Sequence, residues 1–421
     1  MVVPLAARYV AAAVGVLLVV TSASSVIGTL IVPRSVASWL TRRVDHLVAK
    51  AYVLITKPVR DFKRRDRILA SHAATLLLCQ IIAWLGMFFV GFALIFWPLT
   101  NAGITTAFRL AGPGLWQIGA DIAHGGLQEA ILDLATLTGI ITVTLQIAYL
   151  PTLYSAFNRR ENEVALLNAR GGAPSWGPEL LARTHYALGS GVSAINTLPD
   201  LYANWERWAA DVGESHTTYL PLVWFRSPKP LSSWVTSLLA VLDSAALMLA
   251  LNPTTAPIVP ARLCLRAGFT CFADVARAMG FVIPAEPDPA AGISISYEEF
   301  LEAISRLKEV DFPTDRDPED AWPDFVGWRV NYEQAAYALA YELDAVPALW
   351  SGPRREDRPP IAPFRPARGR ANGGQGATAL RPNKPTGPHK PTGLHKPFGP
   401  HKPQGPIGPH KPDGPDKPTA G

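Results

Sequence analysis

Three long apolar runs lie within the first 157 residues and organise the chain. They cover residues 9–32, 73–97 and 134–157, and the second and third contain no charged side chain. As a helix rising about 1.5 Å per residue, each run can cross a hydrocarbon core of about 30 Å. In lipid, backbone N–H and C=O groups must find partners within the segment, which favours helices. The pattern predicts an all-α, multipass membrane protein with three spans.

The first run, within a first segment 1–33, has two interpretations. Ser22-Ala23-Ser24 has the small residues of a signal-peptide cleavage site. The single preceding charge, Arg8, and the length of the run favour a retained span instead. Cleavage would also export the basic stretch that follows.

Residues 34–72 are strongly basic, with ten Lys and Arg against three Asp and Glu. Apolar side chains recur between the charges at helical spacing, at Trp39, Leu40, Val44, Leu47, Val48 and Tyr52. This favours an amphipathic helix on the inner membrane surface and then a polybasic turn facing anionic lipid headgroups. A plain cytoplasmic connector is the alternative. The basic residues predicted to face the headgroups are Lys57, Arg60, Lys63, Arg64, Arg65 and Arg67.

Charge asymmetry predicts the orientation. The loop 34–72 is positive and Arg159-Arg160 follow the third run, whereas residues 98–133 have Arg109 as their one basic side chain. Basic loops stay in the cytoplasm. We therefore expect a protein of the cell membrane with its N-terminus outside and everything after residue 157 inside.

Residues 159–350 have the composition of a helical cytoplasmic domain, with 24 acidic and 14 basic side chains. Ser296 and Glu299 have the spacing of a capping box, and Asp317-Pro318 starts another helix. The apolar stretch 231–251 is long enough for a fourth span. Because Asp243 would be costly in mid-bilayer, we favour a buried core helix there.

Residues 351–421 form a tail rich in Pro, Gly and Lys, with a hexad that recurs from Lys384, Lys390 and Lys396. Such a sequence cannot bury a core, which predicts a disordered, basic repeat tail. Its charge suits a membrane, a nucleic acid or an acidic protein, and its partner is unknown.

The module 73–158 places a short helical segment, 105–115, between two apolar runs. This layout resembles the two-helix, potassium-channel-like family of pore-loop ion channels. Gly112-Pro113-Gly114 departs from the family's pattern and is expected to end the helical segment early. The resemblance implies that residues 105–110 belong to a re-entrant pore helix. It also implies a filter after that helix, whose candidates are Gln117, Ile118, Gly119, Ala120 and Asp121.

Gly119 stands in the place of a filter glycine, and Asp121 stands where the family has a second one. The resemblance therefore implies either a weakly selective cation pore or a channel-derived fold that does not conduct. In a tetramer Asp121 would form a carboxylate ring, and otherwise it is an exposed loop residue. On the inner helix, Gly139, Gln146 and Pro151 are candidates for pore lining, helix packing and bending.

The sequence contains no phosphate-binding loop, zinc-protease motif or nucleophile elbow, so we predict no enzyme, no catalytic residue, no metal ion and no cofactor. Three cysteines are too few for a disulfide framework. Two hypotheses remain. One is a degenerate pore-loop channel, homo-oligomeric and tetrameric if channel-like, with a regulatory or assembly domain. The other is a non-conducting, membrane-anchored interaction or scaffold protein.

Overall fold

The computed structural model describes residues 4–32, 38–100, 103–116, 126–186, 194–288 and 291–365. The regular secondary structure of these residues is helical, and one isolated β-bridge between Ala348 and Ile361 is the only extended pairing among them. The helices are α1 Leu5–Leu30, α2 Trp39–Thr56, α3 Phe62–Leu69, α4 His72–Phe96, α5 Ile104–Trp116, α6 Gly126–Gly171, α7 Gly177–Tyr186, α8 Leu198–Thr218, α9 Trp234–Leu251, α10 Ile258–Ala278, α11 Tyr297–Lys308, α12 Pro318–Arg329 and α13 Glu333–Glu342.

Four helical stretches within these residues are long and apolar enough to cross a membrane: Leu5–Leu30, Phe62–Leu99, Gly126–Gly171 and Trp234–Leu251. The second and third contain the runs that the sequence predicted, and the first contains its run except for the last two residues. The expectation of an all-helical protein with apolar helices is confirmed.

The apolar module consists of α1, α2, α4, α5 and the part of α6 before residue 158, and α4 is its central helix. α1, α2, α5 and α6 all pack on α4. α1 crosses α4 closely, because an added Cβ on Gly15 would lie 2.5 Å from the carbonyl oxygen of Gly91. Beside this crossing, Trp84 donates to Ser25 Oγ at 2.9 Å and Thr29 bonds to Thr41 at 3.2 Å, which ties α1 to α4 and α2.

α6 is a single helix of 46 residues, about 69 Å long at 1.5 Å per residue. It is much longer than the predicted span, because it continues past the double arginine. Its buried residues follow one stripe, spaced three or four apart: Ala135, Gly139, Thr142, Gln146, Tyr149, Leu153, Ala156, Arg160, Val164, Leu167 and Gly171. One face of one helix therefore packs first in the apolar module and then in the domain that follows.

The helical domain contains the end of α6 and helices α7 to α13, arranged around α9. Every residue of α9 is buried, and α6, α7, α8, α10, α12 and α13 all contact it. Residues 231–251 therefore contain a core helix that is enclosed by other helices of the chain, as the sequence favoured.

Local sequence rules account for two helix starts in this domain. Ser296 accepts from the Glu299 amide, and Glu299 reaches back to the Ser296 amide, so the predicted capping box is present. Asp317 is the N-cap of α12 with Pro318 after it, although the Asp317 side chain makes no capping hydrogen bond. Ser296 therefore stabilises its helix through its side chain, and Asp317 does not.

Candidate functional site

The junction between the apolar module and the helical domain contains buried ion pairs that originate on α3. Arg65 is 2% exposed, and its guanidinium lies 2.5 Å from Asp344 and 3.1 Å from Glu356. The neighbouring Asp66 pairs with Arg226 at 2.5 Å. Arg226 also donates to the carbonyl oxygen of Leu343 at 2.7 Å. Through these bonds α3 is fixed to the segment that follows α13.

An apolar contact reinforces these ion pairs. Phe62, at the start of α3, is buried against Val346 and Ala348. Farther along the same segment, the Phe364 amide donates to the carbonyl oxygen of Ala173 at 3.1 Å, and Arg365 pairs with Glu179 at 3.0 Å. The segment 343–365 therefore contacts both α3 and the α6–α7 corner.

Arg160 forms a second connection, on α6. It is fully buried, and it donates to the carbonyl oxygens of Leu222 at 3.0 Å and Phe225 at 2.6 Å. Its Nη1 also lies 2.9 Å from His216 Nε2. Burial and the Arg160 charge hold the pKa of His216 well below its usual value of 6.5, so the ring is neutral and accepts from Arg160.

A small cavity of about 40 Å³ lies within the junction. Its wall includes Tyr52 and His72 from the apolar module and Trp224 and Asp344 from the domain. The rings of Tyr52 and Trp224 both meet His72 edge-on, with centroids 4.7 and 4.3 Å away. A space of this size holds about three water molecules, and no more than a small ligand fits there.

The outer surface beside the junction is basic and partly apolar. Five of the six predicted headgroup-binding residues are exposed: Lys57, Arg60, Lys63, Arg64 and Arg67. Arg65 is the exception, because it is buried in the ion pairs described above and cannot reach a headgroup. Its inclusion in that set was wrong, since the sequence does not distinguish the inner face of α3 from the outer one.

The exposed face of α2 continues this surface. Trp39, Leu47 and Leu54 are 60%, 66% and 75% exposed, and the Arg43 guanidinium lies over the Trp39 ring at 5.2 Å from its centroid. Thr41, Val44, Val48, Tyr52 and Thr56 form the opposite, buried face of α2. The helix is amphipathic as predicted, and it carries apolar and basic side chains together on its outer face.

The filter candidates Gln117, Ile118, Gly119, Ala120 and Asp121 lie outside the described residues. The helix before them is described. α5 packs against both α4 and α6 through Ala107, Leu110 and Ala111. It extends to Trp116, so the expectation that Gly112-Pro113-Gly114 ends it early was wrong. The packed residues lie in the turns just before Gly112, and such tertiary packing overrides local helix propensity.

The predicted tail, 351–421, lies outside the described residues from residue 366 on. Its first part, 351–365, packs on the helical domain, so the prediction of disorder from residue 351 was wrong there.

The three inner-helix candidates lie on two faces of α6. Gly139 and Gln146 belong to the buried stripe that faces the chain's own helices, whereas Pro151 is exposed. The opposite face is apolar where the helix is long enough to span, as at Leu137, Ile141 and Ile147. Within this chain Gly139 and Gln146 therefore pack against other helices.

The residues that sequence reasoning missed are the buried charges of the domain. Arg329 is fully buried and pairs with Asp243, and its Nε bonds to Glu333 at 2.7 Å. Tyr332 also donates to Asp243, at 2.8 Å. Asp243 and Arg329 lie 86 positions apart, and the sole signal in the sequence was an acidic residue within an apolar helix.

Comparison with known proteins places the chain in no recognised family: no family model, no curated protein and no solved structure matches it.

Proposed function

We propose that the chain is an integral membrane protein that anchors its helical domain, in a fixed position, at the inner membrane surface as a platform for interactions. The observation that carries this proposal is the buried stripe of α6, which runs without a break from Ala135 to Gly171. Since one helix face packs in both parts, the domain cannot turn relative to the membrane helices without breaking α6 or its contacts.

The junction supports the same function. The Arg65 and Arg226 ion pairs connect the loop between the first two predicted spans to the far end of the domain. Removing one partner of a buried ion pair costs about 3–5 kcal/mol, so the Arg65–Asp344 pair resists separation. Together with the continuous α6, these pairs hold the domain at one distance and angle from the apolar module.

The basic outer surface provides the lipid contact of the proposed anchor. Lys57, Arg60, Lys63, Arg64 and Arg67 are free to meet anionic headgroups, and Trp39 and Leu54 suit the interfacial region beside them. We expect each basic side chain near such a surface to contribute about 1 kcal/mol.

Lipid retention tests this contact. In nanodiscs of mixed phosphatidylcholine and phosphatidylserine, mass spectrometry should find less phosphatidylserine around a variant with those five residues changed to Gln. A control variant, with Gln at the exposed domain residues Arg207, Arg266 and Lys308, should retain the wild-type amount. Equal retention by all three proteins would exclude the basic surface as the lipid contact.

A degenerate pore-loop channel is the second candidate, and the position of α5 between α4 and α6 favours it. The two functions differ in assembly and in conduction. The platform predicts no potassium or sodium flux through liposomes that contain the purified protein, whereas a channel predicts flux and a homo-oligomer, a tetramer by analogy. Flux that changes in Gly119→Ala or Asp121→Asn variants would overturn the platform and establish the channel.

A further inference from the structure

The packed face of α2 contains one acidic residue that its surroundings do not neutralise. Asp45 is the sole carboxylate of this helix, and it is half-buried on the side that meets α4. The helix's own cations, Arg42, Arg43 and Lys50, are exposed. Helices usually place opposite charges three or four positions apart so that they pair. Here Arg42 has that spacing to Asp45, yet no ion pair forms.

The direct partner of the Asp45 carboxylate is an uncharged amide. Gln80 of α4 is 2% exposed, and its Nε2 donates to Asp45 Oδ1 at 3.2 Å. Within the described part of the chain, no basic side chain lies within ion-pair distance of Asp45. A carboxylate withdrawn from water without a cation costs free energy, and a neutral carboxylic acid does not carry that cost.

Other titratable and hydroxyl groups lie near this contact. Tyr149 of α6 interacts electrostatically with the Asp45 carboxylate, and Tyr219 lies against Tyr149 with ring centroids 5.6 Å apart. On α4, the thiol of Cys79 adjoins Gln80, and His72 lies about two turns away. α1 contributes hydroxyl groups there, at Ser25 and Thr29. On α2 itself, His46 is exposed.

We propose that Asp45 is a proton-binding site that controls how tightly α2 packs on α4. With a proton on the carboxyl group, α2 stays docked. When the carboxylate ionises, its need for water favours a state in which α2 has moved off α4. The proton comes from the solvent and returns to it. Protonation of Asp45 in this way does not depend on whether the protein conducts ions.

The direction of the pH dependence follows from the burial. Burial raises the pKa of Asp45 from 3.8 to about 6, against the opposing effect of the Gln80 hydrogen bond. The docked state therefore binds the proton more strongly than the undocked state, in which the carboxyl is in water. The stabilisation of docking by the proton is fully present below the ordinary pKa of 3.8 and is lost as the pH rises through about 6. Between about pH 5 and pH 7.5, linkage gives about a tenfold fall in the ratio of docked to undocked protein.

Electron spin resonance distances test the proposal in the full chain. Spin labels at Leu54→Cys on α2 and Leu78→Cys on α4, both exposed positions, report on the contact in nanodiscs. Cys79→Ala removes the half-exposed native thiol, and Cys264 and Cys271 are buried. We expect one narrow distance near pH 5 and a second, longer population near pH 7.5. A label pair on the domain, Leu166→Cys with Leu301→Cys, should not change with pH.

The matched control is Asp45→Asn, which keeps the shape and the Gln80 partner but cannot ionise. This variant should show the narrow distance at both pH values. The proposal is overturned if the native Asp45 protein shows the same distance distribution at both pH values. It is equally overturned if the Asn variant keeps the pH-dependent population.

Discussion

At the scale of single residues, the charges that look alike in the sequence have opposite roles in the structure. Arg64 and Arg65 are adjacent in a basic run, yet Arg64 is exposed and Arg65 lies within ion pairs to Asp344 and Glu356. Arg159 and Arg160 are also adjacent and differ in the same way, since Arg159 is exposed and Arg160 is fully buried. Since side chains on a helix point in different directions every 100° or so, neighbours in sequence face different environments.

The pair Asp243–Arg329 provides a stability prediction at this scale. Arg329→Met keeps most of the side-chain volume but leaves the Asp243 carboxylate buried without its cation. We expect this variant to lose about 3–5 kcal/mol, which lowers the unfolding temperature by about 10 °C. Thermal unfolding of the purified protein, followed by tryptophan fluorescence, measures the loss.

The control for this pair changes both residues. Asp243→Leu combined with Arg329→Met removes the cation together with its fully buried partner, so we expect it to regain part of the lost stability, while Glu333 still lacks its ion-pair partner. A double variant as unstable as the single one would mean that the pair is needed for its hydrogen bonds to Tyr332 and Trp350 rather than for charge balance.

His216 provides a pH prediction. Because its folded-state pKa lies well below 6.5, the unfolded chain binds a proton that the folded domain does not. The stability contributed by the neutral ring is fully present above pH 6.5. It is lost as the pH falls below 6.5, by about 1.4 kcal/mol per pH unit. Unfolding temperatures between about pH 7.5 and pH 5.5 should therefore fall.

His216→Gln is the variant that isolates this effect, because an amide oxygen still accepts from Arg160 and does not titrate. It should show a flatter pH dependence over the same interval. A profile as steep as that of the wild type would assign the acid sensitivity to other groups.

At the scale of helices, the α1–α4 crossing depends on Gly15 and Gly91, which let the two backbones approach closely because neither residue has a side chain. An added Cβ on Gly91 would lie 2.8 Å from Val19 Cγ2 and 3.0 Å from the Gly15 carbonyl oxygen, whereas Gly86 of the same helix has nothing within 4 Å. Close approach through small residues is the common way in which membrane helices associate. α1 therefore packs directly on α4 as part of the apolar module.

The crossing predicts that Gly91→Ala destabilises the protein and that Gly86→Ala does not. Overpacking at the crossing costs about 1–3 kcal/mol, while alanine at an open helical site is neutral or slightly favourable. Thermal unfolding in the same detergent compares the two variants. If both behave alike, α1 does not pack on α4 as the structure places it.

The same packing predicts that α1 is retained and not cleaved as a signal peptide. Cleavage after Ser24 would remove the helix that covers Gly91 and would separate Ser25 from the rest of α1. The intact mass of the protein purified from its membrane should therefore include residues before Ser25. A mass that begins at Ser25 would contradict the retained span.

At the scale of the whole molecule, the apolar runs could be predicted from the sequence because their periodicity and length depend on nearby residues alone. α4 was predicted to within one residue at each end, and the capping box at Ser296 was found from a four-residue pattern. The length of α6 could not be predicted, because Arg159-Arg160 reads as the flank of a span. Its continuation depends on contacts with His216 and Phe225, which only the folded chain brings together.

The continuity of α6 provides the last prediction. One alanine inserted after Asn158 turns the two halves of the helix by about 100° relative to each other. The stripe that ends at Ala156 and the stripe that starts at Arg160 then face different directions, so the apolar module and the domain cannot both keep their contacts. We expect two separate unfolding transitions in place of one, and faster tryptic cleavage between the two parts.

An alanine inserted after Glu286, in the exposed connection between α10 and α11, is the matched control and should leave the single transition unchanged. The comparison bears directly on the proposed platform. If the α6 insertion also leaves one transition at the original temperature, the two parts are joined flexibly, and α6 cannot hold the domain at a fixed angle to the membrane. If the transitions separate, the rigid connection is the property by which this chain positions its domain.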